Sequence, residues 1–210
     1  MKKLLNFSNI LCLSPHPDDV EYSMLGSMIK FQDTNFTILN LSKGGRFDKT
    51  TSEMRMKECK LIWDSLPNVS GQLLHDEYLI DQEQDELIFK IENILNIGDF
   101  DALFIPADND THQDHNKVTN VGRALTRKDM CSIVEYKTPH TLNNWIPNLF
   151  ISLDDENVWN LKIELLDYFS SQLNQPYFKP NPLKNFHIDF LSSRKKINFV
   201  ESYKIITNYC

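Results

Sequence analysis

Two short stretches carry most of the reactive side chains of this chain. The first is Ser14-Pro15-His16-Pro17-Asp18-Asp19-Val20-Glu21, with one imidazole and three carboxylates. The second is Ala107-Asp108-Asn109-Asp110-Thr111-His112-Gln113-Asp114-His115, where two histidines stand among further acids. His16 and Asp19 are three apart, as are His112 and His115, so one turn of chain can aim either pair at a point. A neutral imidazole and a carboxylate are part of a catalytic zinc site, which takes three protein ligands and leaves a position for water. His16, Asp19 and one histidine of the second stretch complete such a set. Asp18 lies between ligand candidates, points elsewhere and is a candidate base. Taken alone, the first stretch suits an acid-rich helix N-terminus equally well, since carboxylates there cap free N–H groups and oppose the helix dipole. Two such clusters, each at the end of an apolar run, favour the metal.

Those runs are the elements that must position the clusters. Ile10-Leu11-Cys12-Leu13 and Leu103-Phe104-Ile105-Pro106 read as buried strands, each stopped by proline. In open α/β sheets, sites collect at the carboxyl ends of strands. After the first turn, Met24, Leu25, Met28, Ile29 and Phe31 recur at helical spacing. Phe36 to Leu41 reads as the second strand, closed by the loop signal Lys43-Gly44-Gly45-Arg46. Further helices are expected from Ser52 to Ser65, Gln84 to Leu95, His115 to Leu125 and Glu156 to Phe169, the last capped by Asp154 or Asp155. Further strands are Ile133 to Tyr136, Leu149 to Ile151 and a short one at Leu73-Leu74. Asn174 to Pro182 holds three prolines and reads as a loop, before a closing helix or helix–strand pair. Alternating strands and helices imply a Rossmann-like α/β fold, a mostly parallel sheet with helices on both faces.

The chain's 210 residues correspond to a single domain, 1–210, long enough to bury a large core. Its 22 basic and 29 acidic residues leave a net charge of −7, which gives no reason to expect nucleic acid or an anionic membrane as partner. The basic pairs Lys2-Lys3 and Lys195-Lys196 read as solvated. Cys12, Cys59, Cys131 and Cys210 lie too far apart for a zinc or redox motif and imply a reducing, cytoplasmic setting without disulfides. Met1 to Leu5 opens like a signal peptide, but Asn6, Ser8 and Asn9 interrupt it and leave no room for a cleavage site. No apolar run approaches membrane-spanning length.

The two clusters resemble the signatures of the PIG-L or LmbE-like family of metal-dependent N-acetylglucosaminyl deacetylases. His16 to Asp19 with Glu21 is similar to the family's His-Pro-Asp-Asp and following acid, and His112 to His115 to its His-x-Asp-His. Met54-Arg55-Met56-Lys57-Glu58 resembles its Arg-x-x-Glu helix start. Lys162 through Tyr168-Phe169-Ser170-Ser171-Gln172, and Val200-Glu201-Ser202-Tyr203, resemble its later segments, so the likeness covers most of the chain. The chain departs from the family at Leu25-Gly26-Ser27, often Gly-Gly-Thr, at Gln113, commonly proline, and at Thr111, often tyrosine.

The resemblance implies His16, Asp19 and His115 as ligands of Zn²⁺, with Fe²⁺ or another divalent transition ion suiting the same donors. Asp18 is then the base and His112 the oxyanion partner, most useful as an imidazolium, with Asp114 orienting His112 or simply capping a helix. Arg55 is expected to bind substrate hydroxyls, the alternative being an ion pair with Glu58 on the same helix. Glu21 reads as structural. His140, Trp145 and Tyr136 could line a sugar-binding mouth, although loop packing explains them as well. His75 and His187 stand alone and are assigned no role, and Arg46 has nothing specific to bind. The implied activity is hydrolysis of an N-acetylated amino sugar or sugar conjugate, a small molecule, by a chain that could form a homo-oligomer. Hydrolysis of another small amide such as a formamide, a metal phosphoesterase, which would want a second metal near Asp108 and Asp110, and a non-catalytic sugar-binding scaffold are the alternatives.

Overall fold

The computed structural model describes residues 3–44, 49–75, 78–129, 131–189 and 197–209. Arg46, Lys2, Lys195, Lys196 and Cys210 lie outside them. The first apolar run forms β1 (Asn9–Ser14), followed by α1 (Asp19–Lys30), β2 (Asn35–Asn40), α2 (Lys49–Asp64) and β3 (Val69–Leu73). Then come α3 (Gln84–Ile94), β4 (Ala102–Pro106), α4 (Gln113–Leu125), β5 (Ser132–Tyr136), β6 (Leu149–Ser152), α5 (Glu156–Leu166), α6 (Pro180–Phe186) and β7 (Val200–Thr207). The strands make one sheet in the order β3-β2-β1-β4-β5-β7-β6. The pairs β2–β3, β1–β2, β1–β4 and β4–β5 are parallel, while β7 runs antiparallel to β5 and β6.

Alternate residues of β1 point to opposite faces, as the two-residue period of a strand requires. Ile10 and Cys12 join one core cluster with Met24, Met28, Ile62 and Phe169, while Leu11 and Leu13 join a second with Leu87, Ile91, Val118 and Val121. Both faces are therefore covered by helices, which is why residues 10–13 of β1 and all of β4 are apolar and not alternating. The chain runs outward from β1 to one edge of the sheet and returns to lay β4 on β1's other side. Two strands that lead in opposite directions leave a crevice between their carboxyl ends, the usual ligand position in such folds. Both chemical turns leave those two strands.

Two of the later family-like segments, those of Lys162 and Glu201, meet away from the crevice. Glu201 on β7 is fully buried and accepts from the Gly26 amide at 2.7 Å, the Ser27 amide at 2.7 Å, the Ser27 hydroxyl and the Lys162 ammonium at 2.6 Å. Lys162 of α5 also donates to the Tyr22 carbonyl at 2.8 Å. A Cβ at Gly26 would sit 2.6 Å from Leu153 and 2.9 Å from Glu201, so the close approach needs glycine. This network ties α1 to α5 and β7.

Two expectations are corrected. The stretch read as a loop at 174–182 holds a short 3-10 turn, Pro176–Phe178, and the start of α6, because Pro180 occupies a first helical position where its missing N–H costs nothing. The helix expected to begin at His115 begins at Gln113. Cys12, Cys59 and Cys131 are buried free thiols. No helix among the described residues is long and apolar enough to cross a membrane.

Candidate active site

The first turn is braced by its own polar groups. Ser14 Oγ donates to the His16 carbonyl at 2.6 Å, and the His16 amide donates to Asp19 Oδ2 at 3.0 Å. The second turn is braced by Asp110, whose Oδ1 accepts from the His112 amide at 2.8 Å. A segment following β5 docks on it: the Thr111 amide donates to the His140 carbonyl at 3.1 Å and the Leu142 amide to the Asn109 carbonyl at 2.7 Å.

These turns bring His16, Asp19 and His115 together, each buried, with one donor atom apiece lying within 4.8 Å of the others. His115 Nε2 lies 3.3 Å from Asp19 Oδ1, and His16 Nδ1 lies 3.3 Å from Asp19 Oδ2. Each histidine has a second carboxylate on its far nitrogen. His16 Nε2 meets Asp114 Oδ2 at 2.9 Å, and His115 Nδ1 meets Asp110 Oδ2 at 2.9 Å. A ring that donates N–H to such a partner turns its other lone pair inward. The chain thus presents His16 Nδ1, His115 Nε2 and an Asp19 oxygen to one point, a donor set that fits a divalent transition ion. The charges agree. Burial alone would lower His115, but Asp19 and Asp110 outweigh it and push it up to about 10. Burial opposes ionisation of Asp19 too, yet the two histidines hold it well below the usual carboxylate range. Carboxylates outnumber cations here, and the cluster attracts positive charge.

Asp18 stands beside this set. Burial pushes its carboxyl up to about 6, with Arg55 offsetting part of the rise. Arg55 Nη1 lies 3.2 Å from Asp18 Oδ2, and its Nη2 donates to the Lys43 carbonyl at 3.3 Å. The alternative pairing of Arg55 with Glu58 is not formed. Glu58 instead accepts from the Ser171 hydroxyl at 2.5 Å and the Ser170 hydroxyl at 2.7 Å.

Asp114 does not hold His112 by its carboxylate, contrary to expectation. Because α4 starts at Gln113, His112 becomes the helix N-cap, and its Nδ1 accepts from the Asp114 amide at 3.2 Å. The Asp114 side chain turns instead to His16. Burial and the neighbouring His16 and His115 lower His112 below the ordinary histidine value, which favours a neutral ring over the imidazolium expected. With Nδ1 accepting, its proton sits on Nε2.

The pocket over these groups has a volume of about 530 Å³. His16, Asp18, Asp19, Arg55, His112, Asp114 and His115 all line it, so every candidate site residue is brought to one cavity. His140 lines it too, with its ring 5.8 Å from those of His112 and His115. Trp145 and Tyr136 do not: the Trp145 indole donates to Glu135 at 2.8 Å, and the Tyr136 hydroxyl to the Leu13 carbonyl at 2.8 Å. Sequence reasoning missed Tyr177 and the 78–80 segment, which form walls of the pocket, and Thr138, whose hydroxyl donates to Asp110 at 2.5 Å. Tyr177 carried a faint signal, an aromatic residue after a proline in an irregular stretch.

An α/β sheet with a His–Asp donor cluster in the crevice between two parallel strands defines the class, a protein with a candidate metal centre at the carboxyl edge of its sheet. The chain belongs to the PIG-L family: residues 11–126, more than half its length, match the model described as "PIG-L: GlcNAc-PI de-N-acetylase". No curated protein matches it by sequence. Among solved structures, a deacetylase of the teicoplanin biosynthesis pathway is similar, with a TM-score of 0.74 at 16% identity over 94% of this chain and 97% of that one. The N,N'-diacetylchitobiose deacetylase of Pyrococcus horikoshii has a TM-score of 0.69 at 17% identity over 96% of this chain and 85% of its own. The 4-carboxy-2-hydroxymuconate hydratase GalB of Pseudomonas putida has a TM-score of 0.76 at 12% identity over 97% and 98%. At such identities the likeness is one of fold.

Proposed function

We propose that the protein is a metal-dependent hydrolase that removes the acetyl group from an N-acetylated amino sugar or sugar conjugate. The observation that carries this reading is the convergence of His16, Asp19 and His115 on one point, with the Asp18 carboxylate beside it, in a pocket of a PIG-L chain. The family's description and the two deacetylase neighbours supply the substrate class. The free thiols of Cys12, Cys59 and Cys131 fit a reducing, cytoplasmic setting.

His16, Asp19 and His115 would hold the ion, Zn²⁺ or another divalent transition metal, through the nitrogens their carboxylate partners leave free. When bound, the ion supplies Lewis acidity, which polarises the amide carbonyl and acidifies water. Asp18 takes a proton from the attacking water and returns it to the leaving amine. A carboxyl raised to about 6 by burial is a stronger base than an ordinary one and still mostly ionised near neutral pH. Arg55 keeps that carboxylate in place. His112 offers its Nε2 proton to the carbonyl oxygen as charge builds there. The C–N bond breaks, leaving acetate and a free amino sugar.

Because one neighbour of this fold is a hydratase, the deciding experiment reads bond cleavage. Metal-replete protein is incubated with N-acetyl sugars, sugar nucleotides, glycoconjugates and simple formamides, and acetate or formate is measured together with free amine. Equal release of acetate and amine from an N-acetyl sugar is expected. Protein carrying one ion per chain that cleaves none of the acetylated sugars, or prefers the formamides, overturns the reading.

A further inference from the structure

Asp18 has an unusual backbone. Its φ is 113° and ψ −29°, whereas a helix N-cap ordinarily sits in the extended region. A non-glycine residue stays in such a conformation only where its surroundings over-determine it. The other non-glycine residues with positive φ, among those described, are Leu5 and Asn6, in a 3-10 turn ahead of β1 and outside the pocket lining.

Behind Asp18 stands Glu21, a residue that does not line the pocket. Glu21 is fully buried. Its Oε2 accepts from the Asp18 amide at 3.2 Å, and its Oε1 accepts from the Trp63 indole N–H at 2.7 Å. Trp63, on α2, is itself pinned against β3: a Cβ at Gly71 would lie 2.5 Å from the indole. A rigid path therefore runs from the sheet through Trp63 and Glu21 to the Asp18 backbone. Two N–H donors converge on one side chain, and only a group with two free acceptors satisfies both. A glutamine would turn its NH₂ towards one of them. The Glu21 carboxylate on the Asp18 amide is one half of a capping box, yet capping alone would need neither the indole nor a left-handed N-cap.

We propose that Glu21, braced by Trp63, is the positioning residue that holds the Asp18 backbone in its left-handed conformation and so aims the Asp18 carboxylate into the pocket. The catalytic meaning rests on Asp18 being the base, as argued above. The geometric part does not.

The test uses Glu21→Gln and Trp63→Phe, each alone and combined with Asp18→Asn, in the metal-replete protein. Turnover, KM, metal content and melting temperature are measured for each, and the Trp63→Phe crystal structure is solved. Misplacing a reacting group by about 1 Å can cost on the order of 10²-fold in rate. Glu21→Gln should lower kcat by about that factor and Trp63→Phe by roughly tenfold, with KM and metal content kept. A residue acting through Asp18 should cost nothing more once Asp18→Asn is present, since the two effects are not independent. Unchanged kcat in both variants overturns the proposal. So does the same loss in the Asp18→Asn background, or a loss that follows metal content. If Glu21→Gln does not fold, Trp63→Phe decides alone. If Asp18→Asn is itself fully active, the base assignment falls, and the Trp63→Phe structure judges the rest: relaxation of φ at Asp18 supports positioning, and an unchanged φ overturns it.

Discussion

Asp18, Asp19 and Asp114 line the pocket and Asp110 stands behind it against His115, and their neighbours give the four aspartates different tasks. Burial leaves Asp18 high, at about 6, while contact with histidines holds Asp19, Asp110 and Asp114 low although burial opposes their ionisation too. Asp114 serves His16 by its carboxylate and His112 by its amide, and the two contacts can be separated. Asp114→Asn should weaken metal binding by about 10–100-fold, the usual cost of losing an outer partner of a ligand histidine, as read by competition with a coloured chelator. Unaltered metal affinity with slower turnover would mean that its link to His112 matters more. The residues that converge, and their spacing, were legible in the sequence, because His-x-x-Asp and His-x-x-His at two strand ends are rare together. The direction of the Asp114 side chain was not, since it turns on whether α4 starts at Gln113 or at His115. Nor was the service of Asp110 to His115, which depends on Thr138 arriving from another segment.

At the scale of elements, the site depends on how closely α4 lies on the sheet. A Cβ at Gly122 would collide with the Ile105 side chain on β4 and stand 3.2 Å from Leu13 on β1. Gly122→Ala should therefore lift α4, cost about 1–3 kcal/mol as an overpacked core does, and lower metal content by moving His115. Thermal melts and elemental analysis check both parts, and a stable variant with full metal would mean that the helix shifts without cost. Periodicity revealed nearly every strand and helix in this layer, because each buries one face or both. It failed at α6, where Pro180 and Pro182 read as loop signals although helix starts accept proline. The antiparallel direction of β7 was equally invisible, since strand composition carries no sense of direction.

Over the whole molecule, a buried ion pair and a buried histidine away from the pocket bear on stability. Lys162 and Glu201 form an ion pair with no exposure on either side. Lys162→Met leaves a carboxylate buried without its cation and should cost about 3–5 kcal/mol in urea unfolding; a loss under 1 kcal/mol would show that the amides of Gly26 and Ser27 suffice for Glu201. His187 is fully buried, donates to the Leu183 carbonyl at 2.9 Å and has no partner at Nε2. Burial first, and Lys162 second, hold it well below the ordinary histidine value. The unfolded chain therefore takes up a proton that the folded one refuses. Its contribution is complete above about pH 6.5 and is lost as pH falls below that, by up to about 1.4 kcal/mol per pH unit. His187→Phe should flatten that part of the stability profile, and an unchanged slope between pH 6.5 and 5 would assign the acid loss to other groups. The crevice between β1 and β4 has a consequence for the order of events when the chain is made. His16 and Asp114 are 98 residues apart, yet their turns leave neighbouring strands. A growing chain exposes the first turn, with its imidazole and carboxylates, long before the second has been synthesised. Closing so long a loop is among the slower steps of folding. Until β4 docks, an ion at the first turn would meet only two of the three candidate donors, His16 and Asp19, and could escape, so any selection of a metal would belong to the finished sheet and not to the nascent peptide.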